Sequence, residues 1–384
     1  MTGERYAVVA GGGTAGHLQP ALAIAEALVD AGHPRERIEF VGSARGQDRS
    51  TLEGRGFPFT LLPGRGIVRS LAPRQLAANL AAAAGLVVAC ARGLGVVLRA
   101  RPRVVVSVGG YASLPASLAA VVLGVPLVLV NVDAVPGAAN RLLGRFARAS
   151  AVGWEGCPLP RAVVTGTPVR DEIAGAGDAL HDAAAGRTVL GLPTDRATVV
   201  AFGGSLGARH VNRVVAELAV RWKDRHDRTI YHIVGRRDWD DYAGPGPARP
   251  DADGLCLVRV PYEDRMAAAY AAADVMVCRA GAMTVAELAV AGVPSVLVPL
   301  PGAPGDHQTA NARVLERAGA ALVVADGDLD ASLLDSELDA LLGDPDRLAA
   351  MGRAAASLGR TDAAAAGARV VEANARAVAH GGRR

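Results

Sequence analysis

A repeated strand–turn–helix opening constrains this chain more than any other feature. Near the N-terminus the sequence reads Val8-Val9-Ala10-Gly11-Gly12-Gly13-Thr14-Ala15-Gly16, followed by an amphipathic pattern through about Val29. At an offset of 191 residues it reads Val199-Val200-Ala201-Phe202-Gly203-Gly204-Ser205-Leu206-Gly207, followed by a second such pattern through about Arg221. Each copy is a buried strand, a glycine turn with a hydroxyl residue, and a helix, which is how a Rossmann-type unit opens. Apolar strand patterns then alternate with helical ones. Strands are expected near 38–42, 58–62, 104–108, 126–130, 149–153 and 162–165 in the first half. In the second half they are expected near 229–234, 255–260, 274–278, 295–299 and 321–324. The fold class is α/β, with two tandem Rossmann-like domains over 1–165 and 166–345. A helical tail over 346–384 has no strand to follow it and is expected to pack back on the first domain.

Two uncharged stretches resemble membrane spans. Val104–Val132 is long enough, but Gly109-Gly110, Pro115, Gly124 and Pro126 divide it into strand, turn, helix and strand. Continuous apolar strands between helices mark a parallel sheet covered on both faces. Gln75–Ala91 is short and alanine-rich, and Gly85 is expected to interrupt its helix. Glu4 and Arg5 precede an apolar run that ends in glycines, so the start does not read as a signal peptide. With 51% hydrophobic and 21% charged residues, wholesale disorder is excluded. Four scattered cysteines without a CxxC pair fit a reducing compartment rather than a zinc ribbon or disulfide scaffold.

The net charge of +3 hides an asymmetry: no acidic residue lies between Glu53 and Asp133. That stretch carries eight arginines: Arg55, Arg65, Arg69, Arg74, Arg92, Arg99, Arg101 and Arg103. Such a block reads as a surface for anions, or as a solvated face without a partner. Leu76 and Leu80 lie one helical turn apart beside it, either as an apolar face for anionic headgroups or as core.

Gly11-x-Gly13-x-x-Gly16 matches a dinucleotide fingerprint, but the strand Ile38–Val41 ends in Gly42-Ser43 where a ribose-binding acid belongs. The second copy has Phe202 in place of the first glycine, so an NAD enzyme is disfavoured. The loops still offer backbone N–H groups to phosphate or sugar oxygens.

The densest constellation is Asp274–Gln308. The strand Val275–Cys278 runs into Arg279-Ala280-Gly281-Ala282-Met283-Thr284-Val285-Ala286-Glu287, which opens a helix. Gly281 allows close approach, and the N–H groups of Ala282 to Val285 would face an anion with the helix dipole behind them. Glu287 has two readings: a carboxylate for both ribose hydroxyls, or the N3 member of a capping box with Thr284. Gln308 follows in a Pro/Gly loop, facing a sugar or solvent.

Five signatures now stand in order: Gly11–His17, Gly109-Gly110-Tyr111, Gly203–Arg209, Arg279–Glu287 and Gln308–Asn311. Together they resemble the MurG family of peptidoglycan N-acetylglucosaminyltransferases, across nearly the whole chain. The resemblance implies a GT-B fold, two Rossmann-like domains facing a central cleft. It implies inverting transfer of GlcNAc from UDP-GlcNAc to the muramyl 4-hydroxyl of undecaprenyl-diphosphate-linked MurNAc-pentapeptide. The setting would be peripheral, on the cytoplasmic face of an anionic membrane, with no nucleic acid partner and no cofactor. Donor contacts would be Thr14, Ala15, Gly16, Arg170, Ser205, the segment Ala282, Met283, Thr284, Val285, Ala286 and Glu287, and Gln308. Backbone near Glu263 would meet the uracil, and Tyr111 would lie on the acceptor side.

One departure stands out. Where the family usually carries His-Glu-x-Asn, this chain has Val130-Asn131-Val132-Asp133. Asp133 then either accepts from a sugar hydroxyl or acts as base. His17 is the best base by residue type, or else a helix-start histidine that only hydrogen-bonds. Asp238/Asp240, Asp251/Asp253 and Asp326/Asp328 form Asp-x-Asp tripeptides outside these motifs, so no metal is expected. Alternatives are a GT-B transferase with another acceptor, a sugar-nucleotide epimerase, or an anion-binding adaptor.

Overall fold

The computed structural model describes residues 4–13, 15–44, 48–63, 73–204, 208–242 and 254–377, with backbone alone at 15 and 73–84. The chain divides into two compact units, 1–168 with 362–384, and 169–361.

The first unit runs β1 (Ala7–Ala10), α1 (Ala15–Asp30), β2 (Ile38–Ser43), α2 (Asp48–Glu53), β3 (Phe59–Leu62) and α3 (Pro73–Ala100). It continues through β4 (Val104–Ser107), α4 (Leu114–Val122), β5 (Leu127–Asn131), α5 (Ala138–Leu143), β6 (Ala149–Val152) and β7 (Ala162–Val164). The sheet order is β3-β2-β1-β4-β5-β6-β7, and every pairing is parallel. β1, β2, β4, β5 and β6 are buried along their whole length, because helices cover both faces.

In the second unit come α6 (Asp171–Ala174), α7 (Ala183–Leu190), β8 (Ala197–Phe202), α8 (Arg209–Arg221), β9 (Arg228–Ile233) and α9 (Trp239–Tyr242). Then follow β10 (Cys256–Val260), α10 (Met266–Ala272), β11 (Val275–Cys278), α11 (Ala282–Ala291) and β12 (Ser295–Leu297). It closes with α12 (His307–Arg317), β13 (Ala321–Val323), α13 (Ala331–Leu342) and α14 (Pro345–Ala356); α15 (Ala363–Asn374) comes last in the chain. The sheet order is β10-β9-β8-β11-β12-β13, again parallel throughout. Both sheets thus reverse direction beside their first strand, between β1 and β4 and between β8 and β11. Ligands of such sheets bind at the carboxyl ends of the strands at that switch point.

All eleven expected strands are present within two residues. The tail is divided rather than acting as one piece. A Cβ on Gly352 of α14 would lie 2.9 Å from the Gly292 carbonyl, in the second unit. α15 packs on α1, where a Cβ on Gly367 would meet Ile24 at 2.3 Å and His33 pairs with Glu372 at 2.9 Å. The boundary expected after residue 165 falls between Pro168 and Val169, and α7 packs on α10, where a Cβ on Gly186 would near the Ala268 carbonyl. Gly85 does not interrupt α3, which runs 28 residues. Its described face buries Ala89, Val96, Val97 and Ala100, and Gly93 lets it approach the Pro115 backbone of α4. No helix among the described residues is long and apolar enough to cross a membrane.

Candidate active site

In the second unit, β11 delivers the chain to Gly281, the N-cap of α11, at φ −65° and ψ 148° with no side-chain cap. The N–H groups of Ala282, Met283 and Thr284 have no intrahelical acceptor. Val285 N–H donates to the Gly281 carbonyl at 3.0 Å, so three donors face outward rather than the expected four. A Cβ on Gly281 would meet only Thr284 Oγ1, at 3.8 Å, which leaves this helix end approachable. Thr284 lies inside the helix, so the capping-box reading of Glu287 fails.

Glu287 instead forms a buried cluster. Arg170 Nε and Nη2 donate to its two carboxylate oxygens at 2.8 and 2.7 Å, a bidentate pair. Tyr270, fully buried, donates its hydroxyl to Glu287 Oε2 at 2.9 Å. Burial opposes the Arg170 charge, but the bonds and charge of Glu287 outweigh it and hold the guanidinium above its ordinary pKa. Burial, then the Glu287 charge, pushes the Tyr270 phenol well up.

Glu263 follows β10 and is buried, its carboxylate tied to the Tyr231 hydroxyl and to Arg265 N–H at 2.8 Å. Burial is overcome by bonds from Arg265 and Tyr231, so its carboxyl sits below the usual range. Gln308 lies in the first turn of α12 rather than in a loop, and its carbonyl accepts from Leu300 N–H at 2.9 Å. Arg279 is buried, donates to the Val298 and Pro299 carbonyls, and pairs with Asp326 at 2.6 Å. Asp238 is likewise engaged, by Arg237 at 2.8 Å and Arg209 at 3.2 Å. Thr14 and Ser205 lie outside the described residues, as do Asp251 and Asp253; Ala15 is described by its backbone alone.

In the first unit, the loops after β1 and β4 meet at the switch point. His17, in the first turn of α1 just after exposed Gly16, is half-buried beside Gly109 and Gly110. A Cβ on Gly110 would be 3.3 Å from His17 Nδ1. The Tyr111 ring lies against Gly13, and its hydroxyl is 2.7 Å from Ser43 Oγ. Asp133 is half-buried after β5; its backbone carbonyl accepts from Asn131 Nδ2 at 2.7 Å. Asn140 Nδ2 donates to Val130 O and Asn131 Oδ1 at 3.1 and 3.2 Å, which fixes this departure segment from inside.

Family models match both units: the glycosyltransferase family 28 N-terminal domain over residues 7–152 and the C-terminal domain over 198–366. A UDP-N-acetylglucosamine–N-acetylmuramyl-(pentapeptide) pyrophosphoryl-undecaprenol N-acetylglucosamine transferase of Desulforudis audaxviator is 38% identical, covering 92% of this chain and 94% of the relative. A transferase of the same name from Mycobacterium avium is 40% identical, over 93% of this chain and 86% of the relative. The solved MurG of Acinetobacter baumannii superposes with a TM-score of 0.73 at 26% identity, covering 96% of this chain and 99% of that one. The chain belongs to the MurG family of glycosyltransferases. Its two parallel α/β units are the GT-B fold class. A putative UDP-N-acetylglucosamine 2-epimerase from Listeria monocytogenes, at 14% identity and TM-score 0.60, shares the fold alone.

Sequence reasoning missed two members of these MurG-family crevices, Tyr270 and Asp48. Tyr270 sits in an alanine-rich helix with no motif around it. Asp48 stands five residues beyond the end of β2, outside the strand-end position where a dinucleotide fold keeps its acid. Its buried carboxylate takes Gly13 N–H at 3.0 and 2.9 Å and Ser43 N–H at 2.8 Å.

Proposed function

We infer that the chain transfers GlcNAc from UDP-GlcNAc to the lipid-linked N-acetylmuramyl-pentapeptide, the step that makes lipid II from lipid I in peptidoglycan synthesis. The observation that carries this reading is 38–40% identity to transferases of that name over more than nine-tenths of the chain. The second unit is assigned the donor. Outward N–H groups at the start of α11 and the helix dipole suit the departing diphosphate. Glu287 is assigned the ribose and Gln308 the sugar, through the amide that its Leu300 bond leaves over. The first unit is assigned the acceptor, with His17 as base for the 4-hydroxyl and Tyr111 and Asp133 beside the acceptor sugar. In the donor role, Glu287 must exchange Arg170 for ribose, which frees the guanidinium for phosphate.

The same proposal places the enzyme at an anionic membrane surface. Beyond Leu76 and Leu80, whose side chains lie outside the described residues, α3 exposes Val87, Val88 and Leu98 together with Arg92 and Arg99. Leu142 and Phe146 are also exposed, among Arg141, Arg145 and Arg148. Apolar side chains interleaved with arginine suit shallow insertion among anionic headgroups.

The test is UDP release from UDP-GlcNAc with and without the lipid-linked muramyl-pentapeptide. Release that requires the lipid, with GlcNAc appearing on it, is expected. Lipid-independent release, or epimerised UDP-sugar, would overturn the reading. Co-sedimentation with liposomes, rising with anionic lipid and falling with salt, checks the membrane assignment.

A further inference from the structure

We propose that Asp48 is a positioning residue of the transfer reaction, a built-in anion that fixes the first glycine loop and with it Tyr111 and the start of α1. The proposal rests on the assignment of the acceptor to the first unit. Glycine-loop N–H groups ordinarily receive a ligand's phosphate. Here Gly13 N–H is already taken by both Asp48 oxygens, and Oδ2 also accepts from Ser43 N–H. Asp48 is 1% exposed, and no cation among the described residues pairs with it.

The surrounding glycines fit this carboxylate rather than a ligand. Gly12 has φ +147°, and a Cβ there would lie 2.0 Å from Asp48 Oδ2. A Cβ on Gly42 would lie 2.9 Å from the same oxygen. On the other side a Cβ on Gly13 would meet Tyr111 Cε1 at 2.8 Å, while the Tyr111 hydroxyl reaches Ser43 Oγ. The loop is therefore clamped between a carboxylate and an aromatic ring, and Ser43 touches both clamps. α1, which carries His17, starts two residues beyond Gly13. An acceptor diphosphate approaching Gly13 would meet a buried negative charge instead of a free donor. The acceptor must be held by other groups, and the loop supplies shape.

The experiment compares wild type with Asp48→Ala and Asp48→Asn, measuring kcat, the KM for UDP-GlcNAc, and hydrogen exchange over residues 8–18. Asp48→Ala should lower kcat at least tenfold and accelerate exchange in that segment. Formate should restore part of both kcat and protection, because a small carboxylate fits against the vacated Gly13 and Ser43 N–H groups. If Asp48→Ala does not fold, the isosteric Asp48→Asn decides, with a reduced kcat expected in a folded protein. Full activity in either folded variant would overturn the proposal. So would a kcat loss that formate leaves unchanged. If wild type itself shows no transfer, the proposed function falls, while exchange and its reversal by formate still report on the clamp.

Discussion

In the first unit the glycine loop after β1 gives the Gly13 N–H to Asp48, a carboxylate of its own chain. In the second, α11 begins at Ala282 with three N–H groups that have no intrahelical acceptor, and its nearest acid, Glu287, lies further along the helix on Arg170. The two units share strand order and switch point. The two loops compared run from a strand into a helix, one after the first strand of its sheet and the other after the fourth. What differs is where each keeps its negative charge. Held under the loop, it closes the anion site; held deeper and neutralised by arginine, it leaves the helix end open. Shared topology therefore supplies the place for a ligand, and one side chain decides whether that place takes an anion.

The sharpest way to break this comparison is to add one methyl group to each loop. Gly12→Ala needs a side chain at φ +147° and 2.0 Å from Asp48 Oδ2, so it should destabilise the first unit by about 2–5 kcal/mol. Gly281→Ala has φ −65° and open space, and should leave stability within about 0.5 kcal/mol. Thermal unfolding of both variants checks this. Equal losses would mean that the loops are equivalent after all.

Next in size is Glu287→Ala. If ribose replaces Arg170 on this carboxylate, UDP affinity should fall by about 1.5–3 kcal/mol, a charged hydrogen-bonding partner being lost. The fold should also pay, since the buried Tyr270 hydroxyl and the Arg170 guanidinium lose their acceptor. Calorimetric titration with UDP alongside melting separates the two effects. A lower melting temperature with unchanged affinity would leave Glu287 as the internal partner of Arg170 and Tyr270 alone.

The second unit also carries its own acid sensitivity. His232 in β9 is completely buried, and burial, helped by Arg259, lowers its pKa to about 3. Nε2 is 3.0 Å from Asn212 Oδ1. The folded state thus keeps this ring neutral, while the unfolded chain binds a proton below about pH 6.5. Its contribution to stability is complete above that pH and is lost as pH falls toward 3, at about 1.4 kcal/mol per unit. Unfolding of the second unit at pH 7 and pH 5 should show the loss, and His232→Gln should reduce the slope by about one proton. An unchanged slope in that variant would assign the acid sensitivity to the carboxylates instead.

The parts legible in the sequence were those written in consecutive residues. Strands such as Val104–Ser107 and Val275–Cys278 are apolar runs ended by glycine or a charge, so their limits came out within two residues. Gly85 misled because a glycine costs only about 1 kcal/mol in a helix, less than a docked face of Ala89, Val96, Val97 and Ala100 returns. The turn Gly11–Gly13 and the start of α11 were legible for the same local reason. The clamps were not. Asp48 acts on Gly13 across 35 residues, and Arg170 acts on Glu287 across 117. Those pairings exist only once parallel strands bring the loops to one end of a sheet.

The smallest expected effect tests whether the second crevice is electrically self-sufficient. A departing diphosphate needs its charge met, and a divalent cation is the common means. Here three helix-terminal N–H groups and a dipole worth about half a charge stand ready, with Arg170 available once Glu287 turns to ribose. The two described carboxylates best placed to argue for a metal, Asp238 and Asp326, are already neutralised by Arg237, Arg209 and Arg279. Excess EDTA should therefore leave the transfer rate unchanged. Activity lost to EDTA and returned by magnesium or manganese would mean that the open helix end is not enough, and that the second unit, like the first, relies on a charge beyond its backbone.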